Sequence, residues 1–267
     1  MSFISAQDIW IDTAEGRLFA KRWNPAPEHS HGDAPIMLFH DSLGCVELWR
    51  DFPEQLALST GRSVIAYDRL GFGQSDPHRG KLEFDFVRNE ARSGFRALLD
   101  ALRLESFVAF GHSVGGGMAV CCAAAHAAHC NALVTEAAQA FVEDRTIAGI
   151  LDAKQAFQQP GHLDRLTKYH GDKAAWVLSA WIDTWLAPEF AGWNLDDDLR
   201  HVQCPVLAIH GDQDEYGSTR HPERIAGMTA GHSAIEILPN CGHVPHREES
   251  DAVIQSVKRW LDGLAID

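Results

Sequence analysis

Gly111-His112-Ser113-Val114-Gly115 is the run of this 267-residue chain most suited to chemistry. A serine hydroxyl is a weak nucleophile until a base takes its proton, and the base in turn needs an acid to orient it. The G-x-S-x-G spacing fits a sharp strand-to-helix turn that presents the serine above the strand ends. Glycines on either side leave room where a Cβ would collide with neighbouring backbone. The Val114 N–H lies at the helix N-terminus and can receive negative charge.

In such a turn's architecture the partners follow in the order serine, acid, histidine, each after a later strand. The apolar run Val206–Ile209 leads into His210-Gly-Asp-Gln-Asp214-Glu-Tyr-Gly, and Ile235–Leu238 leads into Pro239-Asn-Cys-Gly-His243-Val-Pro-His246. Asp214 is assigned as the orienting carboxylate and His243 as general base and acid. Asp212 and Glu136 are the rival acids, read as turn or supporting residues. His246 is the rival imidazole, read as a surface or supporting group. An oxyanion also needs hydrogen-bond donors. The Ser42 N–H, in Phe39-His40-Asp41-Ser42-Leu43-Gly44, and the Val114 N–H are the two candidates. His40 reads as a buried imidazole that holds the loop.

These residues must be carried by strands and helices. Ile9–Asp12 and Leu18–Trp23 flank Glu15-Gly16 and predict an antiparallel hairpin. Ile36–Phe39, Val64–Tyr67, Phe107–Phe110, Ala132–Thr135, Val206–Ile209 and Ile235–Leu238 are short, continuous apolar runs, which suit strands covered on both faces of a parallel sheet. Helical periodicity recurs from Phe84 to Leu102 and from Ser250 to Leu264. The fold class is α/β. Between about Phe141 and Arg200 no strand is expected. That stretch is helical in character and holds four of the eight tryptophans. Its stripe Leu178, Trp181, Ile182, Trp185, Leu186 predicts a packed subdomain core, with some rings available to line a ligand cavity.

With the elbow, the Asp214 turn, Asn240-Cys-Gly-His243 and the loop Tyr67-Asp68-Arg69-Leu-Gly71-Phe-Gly73-Gln-Ser75, the chain resembles the α/β-hydrolase superfamily over nearly its whole length. The resemblance implies an eight-stranded, mostly parallel sheet flanked by helices. It also implies a helical cap inserted after strand six, dividing the chain into a core (1–140 and 201–267) and a cap (141–200). The serine separates the chain from branches that place aspartate at the elbow. A Ser113–His243–Asp214 triad implies acyl transfer to water, with a carboxylic ester of partly apolar character as the substrate class. Thioester, amide and carbon–carbon bond hydrolysis use the same triad. Leu43, Gln139, Phe141, Trp181, Trp185 and Val244 are the candidates to face substrate. One departure stands out: Asp41 follows the loop histidine where the family commonly has glycine. Two other classes stay open, a cofactor-independent lyase or oxygenase on the same residues and a ligand receptor on a hydrolase fold.

Composition narrows the partners. The chain is 45% hydrophobic and 22% charged, and 23 Lys and Arg against 37 Asp and Glu give a formal charge of −14. Such a surface opposes nucleic-acid phosphates and anionic lipid, so a small-molecule substrate is expected, with no nucleic acid and no membrane. The N-terminal run has Asp8 and Asp12 where a secretion signal needs apolar residues. Ala119–Val134 is broken by His126 and His129 and makes a poor membrane span. Six cysteines without a CxxC pair read as reduced thiols, so a cytoplasmic protein is expected. His126 and His129 have no ligand partners at metal spacing, and Gly115-Gly116-Gly117 fits no nucleotide pattern. No metal and no cofactor are expected.

Overall fold

The computed structural model describes residues 4–31 and 34–264. Residues 1–3 and 265–267 of the expected core segments, and Gly32 and Asp33, lie outside these. Strands β1 (Ile4–Asp12) and β2 (Arg17–Pro25) form the expected hairpin. Its turn is closed by the Thr13 hydroxyl, which donates to the Gly16 carbonyl at 2.6 Å. Then follow β3 (Ile36–Phe39), α1 (Phe52–Thr60), β4 (Val64–Tyr67), α2 (Phe86–Asn89), α3 (Gly94–Leu102), β5 (Phe107–His112) and α4 (Val114–Ala125). Strand β6 (Cys130–Glu136) precedes four helices, α5 (Asp144–Ala156), α6 (His162–His170), α7 (Ala174–Trp185) and α8 (Asp196–Leu199). The chain ends with β7 (Val206–Gly211), α9 (Arg220–Met228), β8 (Ser233–Leu238), α10 (Pro245–Glu248) and α11 (Ser250–Asp262).

The eight strands form one sheet in the order β1-β2-β4-β3-β5-β6-β7-β8. Strand β2 runs antiparallel to both neighbours, and the remaining pairings are parallel. Successive side chains leave a strand on opposite faces, so an unbroken apolar strand serves two cores. Met37 and Phe39 of β3 join Phe95, Leu98 and Met118 on one side. Ile36 and Leu38 join Phe52, Leu56, Val253 and Val257 on the other. Strand β8 differs from expectation. It closes the sheet at an edge, and Ile235 and Ile237 remain 43% and 40% exposed.

The helix predicted across 84–102 is divided. Glu90 turns its carboxylate inward to accept the Tyr67 hydroxyl at 2.7 Å. It occupies the space a Cβ at Gly94 would need, and Ser93 leaves helical geometry there. Strands β5 and β7 run two residues past their apolar runs, to His112 and Gly211, because ladder hydrogen bonds continue where hydrophobicity stops.

Between β6 and β7 the described residues form helices and one isolated bridge, Phe141 with Asn194. Trp185, Phe190 and Trp193 pack on one another with ring centroids 5.3–5.6 Å apart. The tryptophan stripe is therefore mostly core, with Trp181 half-buried beside it. All six cysteines are buried and unbridged, and Cys130 and Cys204 bring their sulfurs to 3.6 Å. No described helix is long and apolar enough to cross a membrane.

Candidate active site

Ser113 stands between β5 and α4 with φ 56° and ψ −127°, a conformation rarely adopted by a side-chain-bearing residue. Strain of this kind costs on the order of 1–3 kcal/mol and persists only where the surroundings enforce it. They do so here: the Ser113 N–H donates to the Glu136 carbonyl at 2.9 Å, and the Ser113 carbonyl accepts the Gly116 N–H at 2.9 Å. A Cβ on Gly111 would overlap the Gly115 carbonyl, and a Cβ on Gly115 would overlap the Phe39 carbonyl. Only glycines let the elbow sit this deep between β3 and β6.

The structure brings Ser113, His243 and Asp214 together from three distant stretches. His243 Nε2 lies 3.0 Å from Ser113 Oγ, and His243 Nδ1 lies 2.9 Å from both Asp214 oxygens. A proton on Nδ1, donated to the carboxylate, leaves the Nε2 lone pair to accept the serine hydroxyl. Glu248 holds the histidine loop by accepting the Gly242 and Val244 N–H groups at 2.6 and 3.0 Å. Asp214 accepts the Tyr216 and Gly217 N–H groups at 2.7 and 3.1 Å, and its side chain is fully buried. Burial favours the neutral acid, but the hydrogen bond and charge of His243, the nearby His210 and these N–H groups outweigh it and hold the carboxyl below its ordinary range.

The rivals fall elsewhere. Asp212 is exposed at the end of β7. Glu136 and His246 pair with each other, Oε2 to Nδ1 at 2.6 Å. Glu136, His246 and His112 gather within metal-ligand reach. Their donors are committed, however: His112 Nε2 faces the His243 carbonyl at 2.7 Å, and His246 Nδ1 faces Glu136. Glu136 and His246 form a buried pair, and His112 stands beside it with its own hydrogen bond to the His243 carbonyl. His40 Nε2 accepts the Arg69 backbone N–H at 3.2 Å, which ties its loop to the end of β4.

A cavity of about 140 Å³ opens on Ser113, lined by Asp41, Ser42, Leu43, Gln139, Thr146, Ile150, Trp181, Trp185, Tyr216 and His243. Leu43, Gln139, Trp181 and Trp185 are among the lining residues, and the Gln139 carboxamide oxygen accepts the Ser113 hydroxyl at 3.3 Å. Phe141 and Val244 do not line it. Phe141 packs on the His221 ring at 4.4 Å, beneath Arg220 and Arg224, and Val244 is drawn to Glu248. Thr146, Ile150 and Tyr216 were missed. Thr146 and Ile150 stand four apart on one face of α5, and Tyr216 lies in the turn that carries Asp214. A larger cavity, about 420 Å³, lies beside Arg69 and Glu90 and contains none of the three central residues.

Of the two donor candidates, the Ser42 N–H makes no hydrogen bond within the described chain, whereas the neighbouring Leu43 and Gly44 N–H groups are taken by Asp41. Val114 is the first residue of α4, so its N–H has no intrahelical acceptor.

Buried histidines surround the site and set a stability prediction. Burial, the largest cause in each case, holds His40, His170, His210, His221 and His246 below the ordinary histidine range, His221 at about 4. The unfolded chain takes up these protons below roughly pH 6.5 and the folded chain does not, so stability falls as the pH drops from there toward 4. Burial acts oppositely on Asp68, raised to about 6, and on Glu90, also raised, so these two stabilise the fold toward acid. His112, raised against burial by its carboxylate neighbours, acts in the same sense, and five groups against three leave a net loss. The urea midpoint at pH 5 should lie below that at pH 7; an equal or higher midpoint would contradict the neutral burial of these rings.

A model of the alpha/beta hydrolase fold family matches residues 34–196. Human serine hydrolase BPHL is 28% identical over 230 residues, covering 82% of this chain and 76% of that protein. Among solved structures, a serine hydrolase of carbazole degradation (CarC enzyme) superposes with a TM-score of 0.74 at 19% identity, over 97% of this chain and 99% of that one. A thermophilic esterase from Thermogutta terrifontis superposes with a TM-score of 0.71 at 18% identity, over 96% and 98%.

Proposed function

This chain belongs to the α/β-hydrolase fold family, and on that premise we propose that it is a serine hydrolase acting by two-step acyl transfer to water. The observation that carries this reading is the continuous line of hydrogen bonds from Ser113 Oγ through His243 to Asp214. His243 takes the serine proton as Oγ attacks the acyl carbon. The Ser42 and Val114 N–H groups receive the oxyanion, each such donor contributing about 2.7–4 kcal/mol in enzymes of this kind. His243 then protonates the leaving group, and water, deprotonated by the same imidazole, releases the acid and restores Ser113.

The substrate class is a carboxylic ester with a short, partly apolar group. The cavity supports this by its size and by Leu43, Ile150, Trp181 and Trp185 in its wall. The helices of 141–200 act as a cap over the core, contributing Thr146, Ile150 and both tryptophans to that wall. Incubation with a fluorophosphonate should label Ser113, identified by peptide mass spectrometry, and a panel of esters, thioesters, amides and diketones should show turnover of short-chain p-nitrophenyl esters first. Tight stoichiometric ligand binding with neither labelling nor turnover would replace the hydrolase with a receptor.

A further inference from the structure

His112 precedes the nucleophile, is 1% exposed, and has an acceptor near each ring nitrogen. Nε2 lies 2.7 Å from the carbonyl of His243, and Nδ1 lies 3.4 Å from Asp41 Oδ2. Neither partner can donate, because a carbonyl and an ionised carboxylate carry only lone pairs. A neutral imidazole that donates from Nε2 would turn its Nδ1 lone pair toward the carboxylate, so the imidazolium is the form that pairs with both groups. Asp41, in turn, accepts the Leu43 N–H at 2.7 Å through Oδ1, and its backbone carbonyl accepts Arg69 Nη2 at 2.7 Å. One buried ring thus touches the loop that offers the Ser42 N–H, the turn that carries Ser113 and the backbone of His243.

We propose that the Asp41–His112 pair is a positioning device, in which the His112 imidazolium ties the oxyanion loop and the histidine loop to the elbow and so aligns the Ser42 N–H with the reacting centre. This inference rests on the serine hydrolase reading. Asp41 stands where a glycine is common in the resembling family, so the carboxylate is a feature of this chain's own loop.

The groups facing His112 are Asp41 from the oxyanion loop, Glu136 from the end of β6, His243 from its loop, and His246 from α10 with Arg247 beside it. Burial works against the charged ring, but the Asp41 hydrogen bond and the charges of Glu136 and Asp41 more than offset it, raising His112 above the ordinary histidine range. The pair's contribution is therefore complete below about pH 6.5 and is lost as the pH rises through the raised value. Asp41→Asn keeps the shape, removes the charge and lets the proton leave at lower pH.

The test compares wild type, Asp41→Asn and His112→Gln in the rate of Ser113 phosphonylation by a fluorophosphonate and in ester kcat and KM, between pH 6 and 9. The phosphonyl oxygen seeks the same N–H donors, so labelling reads the alignment without a natural substrate. Misplacement of a reacting group by about 1 Å costs on the order of 10²-fold. Asp41→Asn is expected to lose 10- to 100-fold (about the same scale) in labelling rate and kcat with KM within about threefold. Its alkaline limb should move to lower pH, and His112→Gln should abolish that limb. A purely structural role would lower the urea midpoint without moving the limb. Asp41→Asn within twofold of wild type (about the scatter of such rates), or with an unmoved limb, overturns the proposal. Labelling without ester turnover would remove the ester substrate and leave this inference standing. Should Ser113 resist labelling, the hydrolase reading itself fails; the His112 imidazole resonance, followed by NMR in wild type and Asp41→Asn, then decides the pairing, and an identical titration in both overturns it.

Discussion

Ser113→Ala and His243→Ala are each expected to lower kcat for a short-chain p-nitrophenyl ester by a factor on the order of 10⁶. The two should not add. Oγ without the Nε2 lone pair 3.0 Å away is an ordinary alcohol, and the imidazole without Oγ has nothing to deprotonate. The double variant should therefore match either single one, with a residual rate of roughly 10³–10⁴ over water left to the N–H donors and to binding. Steady-state kinetics on folded protein, with circular dichroism as the control, measures this. The informative failure is asymmetric: an active Ser113→Ala protein beside a dead His243→Ala protein would make His243 a base on a carbon acid and Ser113 only a binding group, the chemistry of a cofactor-independent lyase or oxygenase.

Asp214→Asn should cost on the order of 10⁴ in kcat, less than loss of the serine or histidine. An asparagine amide can turn a donor toward His243 Nδ1 and favour the tautomer whose Nε2 already carries a proton, which cannot accept from Ser113. The Tyr216 and Gly217 N–H groups that now converge on Oδ1 would still find an acceptor, so the loop should keep its shape. Asp212→Asn, at an exposed position, should leave turnover near wild type. Glu136→Gln should lower stability, because that carboxylate holds His246, and should move the alkaline limb to lower pH, because its charge also faces His112, while leaving turnover at pH 6 far above that of Asp214→Asn. Near-full activity in Asp214→Asn, with loss in either of the others, would move the acid assignment.

The meeting of the three central residues was legible in the sequence because each follows a short apolar run, and β5, β7 and β8 end on the same side of a parallel sheet, with only β6 between β5 and β7. Chain order and strand adjacency then leave little freedom. The cavity wall was less legible. Ile150 and Thr146 reach the site only because α5 packs against the Tyr216 turn, where the Thr146 hydroxyl donates to the Tyr216 carbonyl at 2.7 Å, a tertiary fact with no local signature. Phe141 looked suitable by its place after β6, yet the ring serves as a platform for His221 and two arginines. The divided helix before β5 failed for a related reason: burial of one carboxylate outweighed a good apolar period. Nor does spacing reveal that His112 bridges two loops, since that depends on which way an imidazole turns.

The glycine contacts at the elbow also divide the molecule into parts that can and cannot change. Main-chain atoms of Phe39, Gly111 and Gly115 press directly on one another, so no choice of side chain adjusts their separation. New specificities, whether arising by drift or in a laboratory library, must be written into the helical wall, most freely at half-buried Trp181, since Thr146 and Trp185 also hold the Tyr216 turn and the aromatic core.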